Sequence, residues 1–303
     1  MTTTPPAFHE YRPAGWLRVT GSDGNSFLQG QFTNDIRLIA PNRAVYGLWL
    51  DQKGKVLADS FVMAGSVEGE FWIGSYFSPG ETIRRRLEDY IVADDVIVED
   101  LTPDWAGMAL IGPGAGAWAA ESGRPGLVFP GRRAGVENWE WVFPLSALPG
   151  ARAQLAESTE VSAAEMERSR IAGVIPAVPA DIGPHDLPNE GGLDESAISA
   201  TKGCYLGQEI IARLKSKGRI RRQLFRVAGR GAVPALPAPL HARGPDAPVS
   251  SPDRAAGELR SAAGDRDGAG FTGLAMLTLG GLVKTEKLHL PEQAGNGRTV
   301  EII

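Results

Sequence analysis

The side chain best suited to chemistry in this sequence is Cys204, the only cysteine among 303 residues. It lies in the segment Lys202-Gly203-Cys204-Tyr205-Leu206-Gly207-Gln208-Glu209, just before a helix predicted from about Tyr205 to Leu214. The free N–H groups of a helix start and the cation of Lys202 both favour a thiolate. A lone cysteine is more often a small buried side chain, and the nearest histidine in sequence, His185, is not an evident base. The sequence therefore predicts a functional thiol at Cys204 but no specific reaction.

A basic stretch follows the cysteine segment. Residues 213–230 contain no acid and eight lysines and arginines: Arg213, Lys215, Lys217, Arg219, Arg221, Arg222, Arg226 and Arg230. Such a stretch can attract anionic ligands or RNA phosphates, although a solvated strand face is at least as good an interpretation. Its one aromatic residue, Phe225, gives little support to base stacking. We therefore rank direct RNA binding last among the functions considered.

Composition limits the class of protein. The net charge of -5 and the pI of about 5.5 argue against a polycation that coats nucleic acid. A single cysteine excludes an intramolecular disulfide and fits a reducing compartment, and the four histidines show no metal-ligand spacing. The sequence has neither the pattern of a secretory signal nor the ~20 apolar residues of a membrane helix. We therefore expect a cytoplasmic monomer with no structural metal site and no membrane contact.

Hydrophobic patterns and chain length predict two or three domains. Strands are predicted at 15–20, 45–50, 56–63 and 71–76, with a hairpin turn at 51–54. Helices are predicted to begin at Ser22 or Asp23, at Pro79 and at Ser162. The Pro/Gly/Asp-rich residues 174–200 are predicted to form a long ordered loop. Beyond residue 218, short strands between Gly/Pro/Asp-rich loops indicate a small β-barrel or sandwich.

The cysteine segment 202–209 resembles the hallmark segment of the YgfZ-like folate-binding family, which is similar in fold to the aminomethyltransferase (T-protein) of the glycine cleavage system. Further blocks that resemble this family occur in the same order along most of the chain, at 27–35, 51–59, 187–194 and 257–261. The cysteine segment is the specific part of the resemblance. The order and spacing of the other blocks strengthen it.

The resemblance implies an α+β fold, arranged as a three-domain aminomethyltransferase-like ring around a central folate pocket, with a C-terminal β-barrel. We predict a discontinuous folate-binding domain from residues 1–45 and 145–217, a ferredoxin-like α/β domain from 46–144 and the barrel from 218–303. The implied cofactor is tetrahydrofolate or a derivative. The implied partners are iron–sulfur client enzymes, including enzymes that thiolate tRNA, or assembly proteins. The family has no single settled reaction, so enzymatic activity is left open.

The resemblance also assigns candidate binding residues. In the aminomethyltransferase relatives a glutamate in a Pro-x-Glu segment binds the pterin ring, and Glu190 matches that position. A carboxylate suits this role because it can accept the ring N–H and the exocyclic NH₂ group together. A solvated loop glutamate is the alternative. The other predicted cofactor-binding residues are Lys202, Tyr205, Gln208 and Arg213.

Asp59 is the predicted catalytic carboxylate if the protein is an enzyme. The aminomethyltransferases carry an Asp-Asp pair after the hairpin glycine, whereas this chain has Ala58-Asp59. One carboxylate is therefore missing, and a plain strand residue is an equally good interpretation of Asp59. Three functions follow: an accessory protein that binds tetrahydrofolate and supports iron–sulfur cluster assembly or repair, a folate-dependent aminomethyltransferase-type enzyme, and an RNA-binding module.

Overall fold

The computed structural model describes residues 5–121, 124–243, 254–280, 287–290 and 298–303. Its first part contains these elements: β1 Ala7–Tyr11, β2 Gly15–Thr20, α1 Gly24–Gln31, β3 Val45–Leu50, β4 Val56–Ala64, β5 Phe71–Ser75, α2 Gly80–Glu88 and β6 Ile97–Asp100. Next come β7 Trp105–Ile111, α3 Ala115–Ala119, β8 Leu127–Pro130, β9 Asn138–Pro144, α4 Leu148–Gln154 and α5 Ala163–Ala172. The rest contains α6 Gln208–Lys217, β10 Arg222–Arg230, β11 Ala238–Arg243, β12 Arg254–Gly264, β13 Gly270–Thr278, β14 Lys287–Leu290 and β15 Arg298–Ile302.

A five-stranded antiparallel sheet has the strand order β3-β4-β5-β2-β6. The predicted hairpin between β3 and β4 is confirmed, because the Asp51 carboxylate accepts hydrogen bonds from the backbone N–H groups of Lys53 and Lys55. Gly54 takes a φ of 73°, a conformation that glycine adopts without a steric penalty. The turn therefore has the chemistry that its sequence predicts.

Helices α1 and α2 pack on this sheet. Ile83 and Leu87 of α2 are fully buried and Tyr90 packs partly against the same core, so the spacing i, i+4, i+7 places these residues on one apolar face. The helix begins directly after Pro79, as predicted. Asp23 occupies the N-cap position of α1 but makes no side-chain cap bond, so only the place of that helix start is confirmed.

A four-stranded antiparallel sheet has the order β1-β7-β9-β8 and packs against the first sheet through aromatic and aliphatic side chains, among them Trp16, Phe61 and Phe129. Each sheet draws strands from both sides of the predicted domain boundary at residues 45/46, because β2 pairs with β5 and β1 pairs with β7. Strand pairing alone does not decide domain bounds, and the three-domain division stays a prediction.

The C-terminal strands close into a six-stranded barrel with the order β10-β13-β12-β11-β14-β15. Its interior is filled by buried side chains such as Leu240, Leu259 and Phe271. Phe271 packs over Gly229, where an added Cβ would lie 2.4 Å from the ring. The predicted barrel is thus confirmed, and it is a filled core rather than a channel.

Two histidines that are far apart in sequence, His241 and His289, lie directly opposite each other on β11 and β14. Within the described residues no group of three or more His, Cys, Asp and Glu side chains could hold a metal ion. The pair therefore remains a surface feature of the barrel wall.

The long loop after α5 is held by ion pairs to its neighbours. Asp181 is fully buried, pairs with Arg170 at 2.6 Å and accepts a hydrogen bond from the Ser261 hydroxyl at 2.5 Å. Asp186 pairs with Arg260 of β12 at 2.5 Å and with Arg222 of β10 at 2.9 Å. These contacts fix the loop to α5 and to the barrel strands β10 and β12. Among the described helices, none has the length and apolarity to cross a bilayer.

Candidate functional site

Cys204 is exposed and lies at the end of the long loop, four residues before α6 begins at Gln208. The predicted helix start near Tyr205 is therefore three residues too early. The reason is Gly207, which takes a φ of 85° and so cannot belong to the helix. A Cβ on Gly207 would lie 2.8 Å from the backbone oxygen of Asp51. Only glycine fits here, and the close approach seats the cysteine segment on the β3–β4 hairpin.

The Lys202 side chain is buried in the protein. Its ammonium donates hydrogen bonds to the backbone oxygens of Gln29, Phe32 and Asn34 at 2.7, 2.6 and 2.9 Å. Burial lowers the pKa of Lys202 to about 8, and the three carbonyl dipoles favour the charged form. All three ammonium protons are thus engaged. Lys202 joins the cysteine segment to the chain after α1, and its ammonium is bound to these backbone oxygens. A contribution of Lys202 to a Cys204 thiolate stays a prediction.

The family-like blocks at 27–35, 51–59 and 202–209 meet at this place. The Leu206 N–H donates to the oxygen of Gly30 at 3.2 Å, and a Cβ on Gly54 would touch Ile210 at 3.2 Å. The Thr33 hydroxyl donates to the oxygen of Ala197 at 2.7 Å, which ties the loop before the cysteine to the same point. Segments that are distant in sequence therefore form one support beneath an exposed thiol.

The remaining predicted residues of the cysteine segment differ in their surroundings. Tyr205 is buried in a core cluster with Leu48 and Leu50, and burial raises its pKa to about 12. Gln208 is half-buried at the first position of α6, and Arg213 is exposed further along that helix. Tyr205 is therefore placed for packing, whereas Gln208 and Arg213 remain accessible to a ligand or partner.

Glu190 is buried and lies in a short 3-10 turn, Pro188–Gly191, of the long loop. Its Oε2 accepts hydrogen bonds from the Leu187 backbone N–H at 2.7 Å and from Arg222 Nη2 at 3.0 Å. Its Oε1 accepts from Arg222 Nε at 3.1 Å. The carboxylate is thus fixed by its own turn and paired with the first residue of β10, a partner that the sequence did not reveal.

A cavity of about 1090 Å³ opens beside Glu190. Its lining includes Glu190 and Asn189 together with four cations from the hairpin and the basic stretch: Lys55, Arg219, Arg221 and Arg222. The Asn189 Oδ1 is buried and has no hydrogen-bond partner among the residues that the structure describes. The cavity therefore offers acceptors for N–H donors at one point and positive charge around it. Its volume is at the upper end for small-molecule sites.

Asp59 lies in a separate, hydroxyl-rich environment. Its Oδ1 accepts hydrogen bonds from Ser78 at 2.7 Å and Ser75 at 3.0 Å, and its Oδ2 accepts from the Tyr46 hydroxyl at 2.9 Å. Burial raises the pKa of Asp59 despite these bonds. The described lining of the Glu190 cavity includes neither Asp59 nor Cys204. The structure thus brings the predicted site residues onto neighbouring segments but not into one cavity.

The polar network around Asp59 continues between the two sheets. The Arg132 guanidinium lies 4.0 Å from the centre of the Tyr46 ring, and its backbone N–H donates to the Tyr76 hydroxyl at 3.1 Å. Tyr76 in turn donates to the fully buried Glu140 at 2.8 Å. Burial also raises the pKa of Glu140. Sequence reasoning missed these partners because they come from two different strands and two loops.

The raised pKa of Asp59 predicts a pH-dependent effect of Asp59→Asn. The folded protein binds the Asp59 proton more tightly than the unfolded chain, so the stability from the neutral acid is lost as pH rises from 3.8 through the raised pKa. An asparagine cannot ionise and avoids this loss. We expect the melting temperature of the variant, relative to the native protein, to increase between about pH 4 and pH 7.5. If the difference in melting temperature between the two proteins stayed the same across that pH range, Asp59 would ionise in the folded protein without loss of stability.

The chain is similar to known proteins over most of its length. Residues 7–122 match the family model of the GCVT N-terminal domain. The tRNA-modifying protein YgfZ of Vibrio vulnificus (strain CMCP6) is 29% identical over 227 residues, which cover 71% of this chain and 68% of the relative. The mitochondrial iron–sulfur cluster assembly factor IBA57 of Mus musculus is 28% identical over 281 residues, which cover 86% and 74% of the two chains.

Among solved structures, the glycine cleavage system aminomethyltransferase T from Bartonella henselae superposes with a TM-score of 0.76. It is 17% identical in sequence, and the match covers 99% of this chain and 86% of that one. This likeness confirms the predicted aminomethyltransferase-like α+β fold. Together with the sequence relatives, it confirms the resemblance that the cysteine segment indicated.

Proposed function

We propose that this YgfZ-like protein binds tetrahydrofolate or a derivative and supports the assembly or repair of iron–sulfur clusters in client enzymes, including enzymes that modify tRNA. The observation that carries the proposal is the cavity beside Glu190. It combines a fixed carboxylate, the unpartnered Asn189 Oδ1 and a basic surround. A pterin supplies N–H donors for the first two, and the carboxylates of a folate tail suit the cations.

Cys204 is the proposed point of contact with the iron–sulfur client. Its thiol is exposed and lies on a rigid support formed by the Gly207 turn and the buried Lys202. Thiolates are the usual protein ligands of iron in clusters. Nucleophilic catalysis would need a nearby base, and the described residues place none in hydrogen-bond contact with this thiol. A transient cluster ligand or redox partner is therefore the role we favour. The similarity to a tRNA-modifying protein and to an iron–sulfur cluster assembly factor supports this role.

The aminomethyltransferase alternative has weaker support. Asp59 is buried among hydroxyl groups and is absent from the described lining of the Glu190 cavity. The second acid of the aminomethyltransferases is replaced by Ala58, which is fully buried in an apolar core. The RNA alternative gains no support either, because Arg222 pairs with Glu190 and Arg226 donates to the oxygen of Ala172. The cytoplasmic location and the monomeric state stay predictions.

Calorimetry with tetrahydrofolate tests the folate site. We expect the native protein to bind and Glu190→Gln to bind at least about tenfold more weakly, because a hydrogen-bond pair to a charged acceptor is lost. Glu195→Gln is a matched control, since Glu195 is an exposed acid of the same loop. If Glu190→Gln bound tetrahydrofolate as tightly as the native protein does, Glu190 would not be part of the folate site. The folate proposal would be wrong if tetrahydrofolate bound neither to the native protein nor to variants in which Glu190 has lost its partner Arg222.

A further inference from the structure

We propose that Arg222 is an internal competitor of folate: in the ligand-free protein it occupies the place on Glu190 that the pterin ring takes, and it thereby sets the affinity and selectivity of the site. This inference rests on the proposed folate function. It concerns a residue of the basic stretch whose side chain faces the carboxylate rather than the solvent.

The geometry of the Arg222–Glu190 pair is the first support. Arg222 Nε donates to Oε1 at 3.1 Å and Nη2 donates to Oε2 at 3.0 Å, which is the parallel, two-bond arrangement of a guanidinium with a carboxylate. A pterin presents the same pattern, a ring N–H beside an exocyclic NH₂ on one carbon. One carboxylate can accept only one such pair along its outer edge. Arg222 and a pterin therefore exclude each other at Glu190.

The surroundings allow Arg222 to leave without unfolding the site. Its side chain is 33% exposed at the cavity, and Nη2 also donates to Asp186 Oδ1 at 2.9 Å and to the oxygen of His185 at 3.2 Å. An arginine displaced from Glu190 thus keeps a carboxylate partner. Glu190 is only 7% exposed in its side chain and is held independently by the Leu187 N–H at 2.7 Å. Glu190 therefore stays in place as the acceptor, while the Arg222 side chain can move.

The exchange has a consequence for selectivity. Removing Arg222 from Glu190 leaves a buried carboxylate that needs two N–H donors, because unpaired buried charge is costly. A pterin supplies them, whereas an anion attracted only by Lys55, Arg219 and Arg221 does not. The competitor therefore lowers the affinity for folate, and an anion that offers no N–H donors cannot recruit the Arg222 charge without leaving Glu190 unpaired, which disfavours such ligands.

Calorimetry with tetrahydrofolate on Arg222→Met tests this inference. Methionine keeps an apolar stem and removes the donors, so we expect binding about tenfold tighter than that of the native protein. Arg221→Met is the matched comparison, because Arg221 is an exposed neighbour that lines the cavity and is assigned to the folate tail, so loss of its charge should weaken binding. If Arg222→Met does not fold, Arg222→Lys keeps the charge, makes no two-bond pair and should still bind more tightly than the native protein.

The double variant Glu190→Gln/Arg222→Met separates the two proposals. If Arg222 acts by competing for Glu190, its removal brings no gain once Glu190 is changed. Unchanged or weaker binding by both Arg222 variants, with binding still dependent on Glu190, would overturn the competitor and leave the folate site standing. Absence of tetrahydrofolate binding in the native protein and in both Arg222 variants would overturn the folate site itself. Binding by an Arg222 variant where the native protein binds none supports both.

Discussion

Changing Cys204 to alanine should abolish support of iron–sulfur enzymes while leaving the stability of the protein unchanged. The thiol is exposed, and substitutions at exposed sites without special backbone or bonding roles usually change stability by no more than about 0.5 kcal/mol. The backbone under Cys204 is held by Lys202 and Gly207, so alanine should not disturb it. A deletion strain that carries the variant should lose client iron–sulfur enzyme activity as fully as one that carries no copy.

Two controls make that experiment specific. Thr201→Ala changes an exposed neighbour and should complement fully. Cys204→Ser keeps the size of the side chain but not its softness as an iron ligand, and we expect it to fail like alanine. Thermal unfolding of the purified variants should give the same midpoint as the native protein. Full complementation by Cys204→Ala would remove the thiol from the function.

The largest effect on stability is expected two residues earlier, at Lys202. Lys202→Met removes the donor that three backbone oxygens share, the buried one of Phe32 and the partly buried ones of Gln29 and Asn34. Each unsatisfied buried acceptor costs about 1–3 kcal/mol, although local rearrangement and water recover part of this. We expect a loss of roughly 2–5 kcal/mol in the free energy of unfolding. Urea denaturation measures it, with exposed Lys215→Met as the control that should remain within about 0.5 kcal/mol.

A Lys202→Met protein of native stability would show that water or other groups satisfy the three oxygens. The role assigned here to Lys202, as the joint between the cysteine segment and the chain after α1, would then be wrong. Together, Cys204→Ala and Lys202→Met test whether the exposed Cys204 is the functional residue of the segment and whether the buried Lys202 stabilises it.

Local features of the fold were predictable from the sequence because short-range chemistry decides them. The hairpin at 51–54 follows from Asp51 and Gly54, and the start of α2 follows from Pro79. The start of α6 was placed too early because the close approach of Gly207 to the oxygen of Asp51 depends on a segment 150 residues away. A glycine inside an otherwise helical pattern was the available signal.

The contacts of charged side chains in the candidate site were less predictable. Lys202 was expected beside Cys204, yet its partners are backbone oxygens, which no side-chain pattern reveals. Arg222 is one of eight similar cations in the sequence, and only the fold shows that it pairs with Glu190. The sequence predicts Glu190 as the candidate acid, whereas the structure shows that Glu190 is already paired with Arg222.

A crystal structure of the protein with tetrahydrofolate tests the central claim most directly. We predict pterin density within hydrogen-bond distance of both Glu190 oxygens, the folate tail toward Arg219 and Arg221, and Arg222 withdrawn to Asp186. Density for the pterin beside Asp59 and Tyr46, with the Arg222–Glu190 pair intact, would contradict the assignment of the folate site to this cavity.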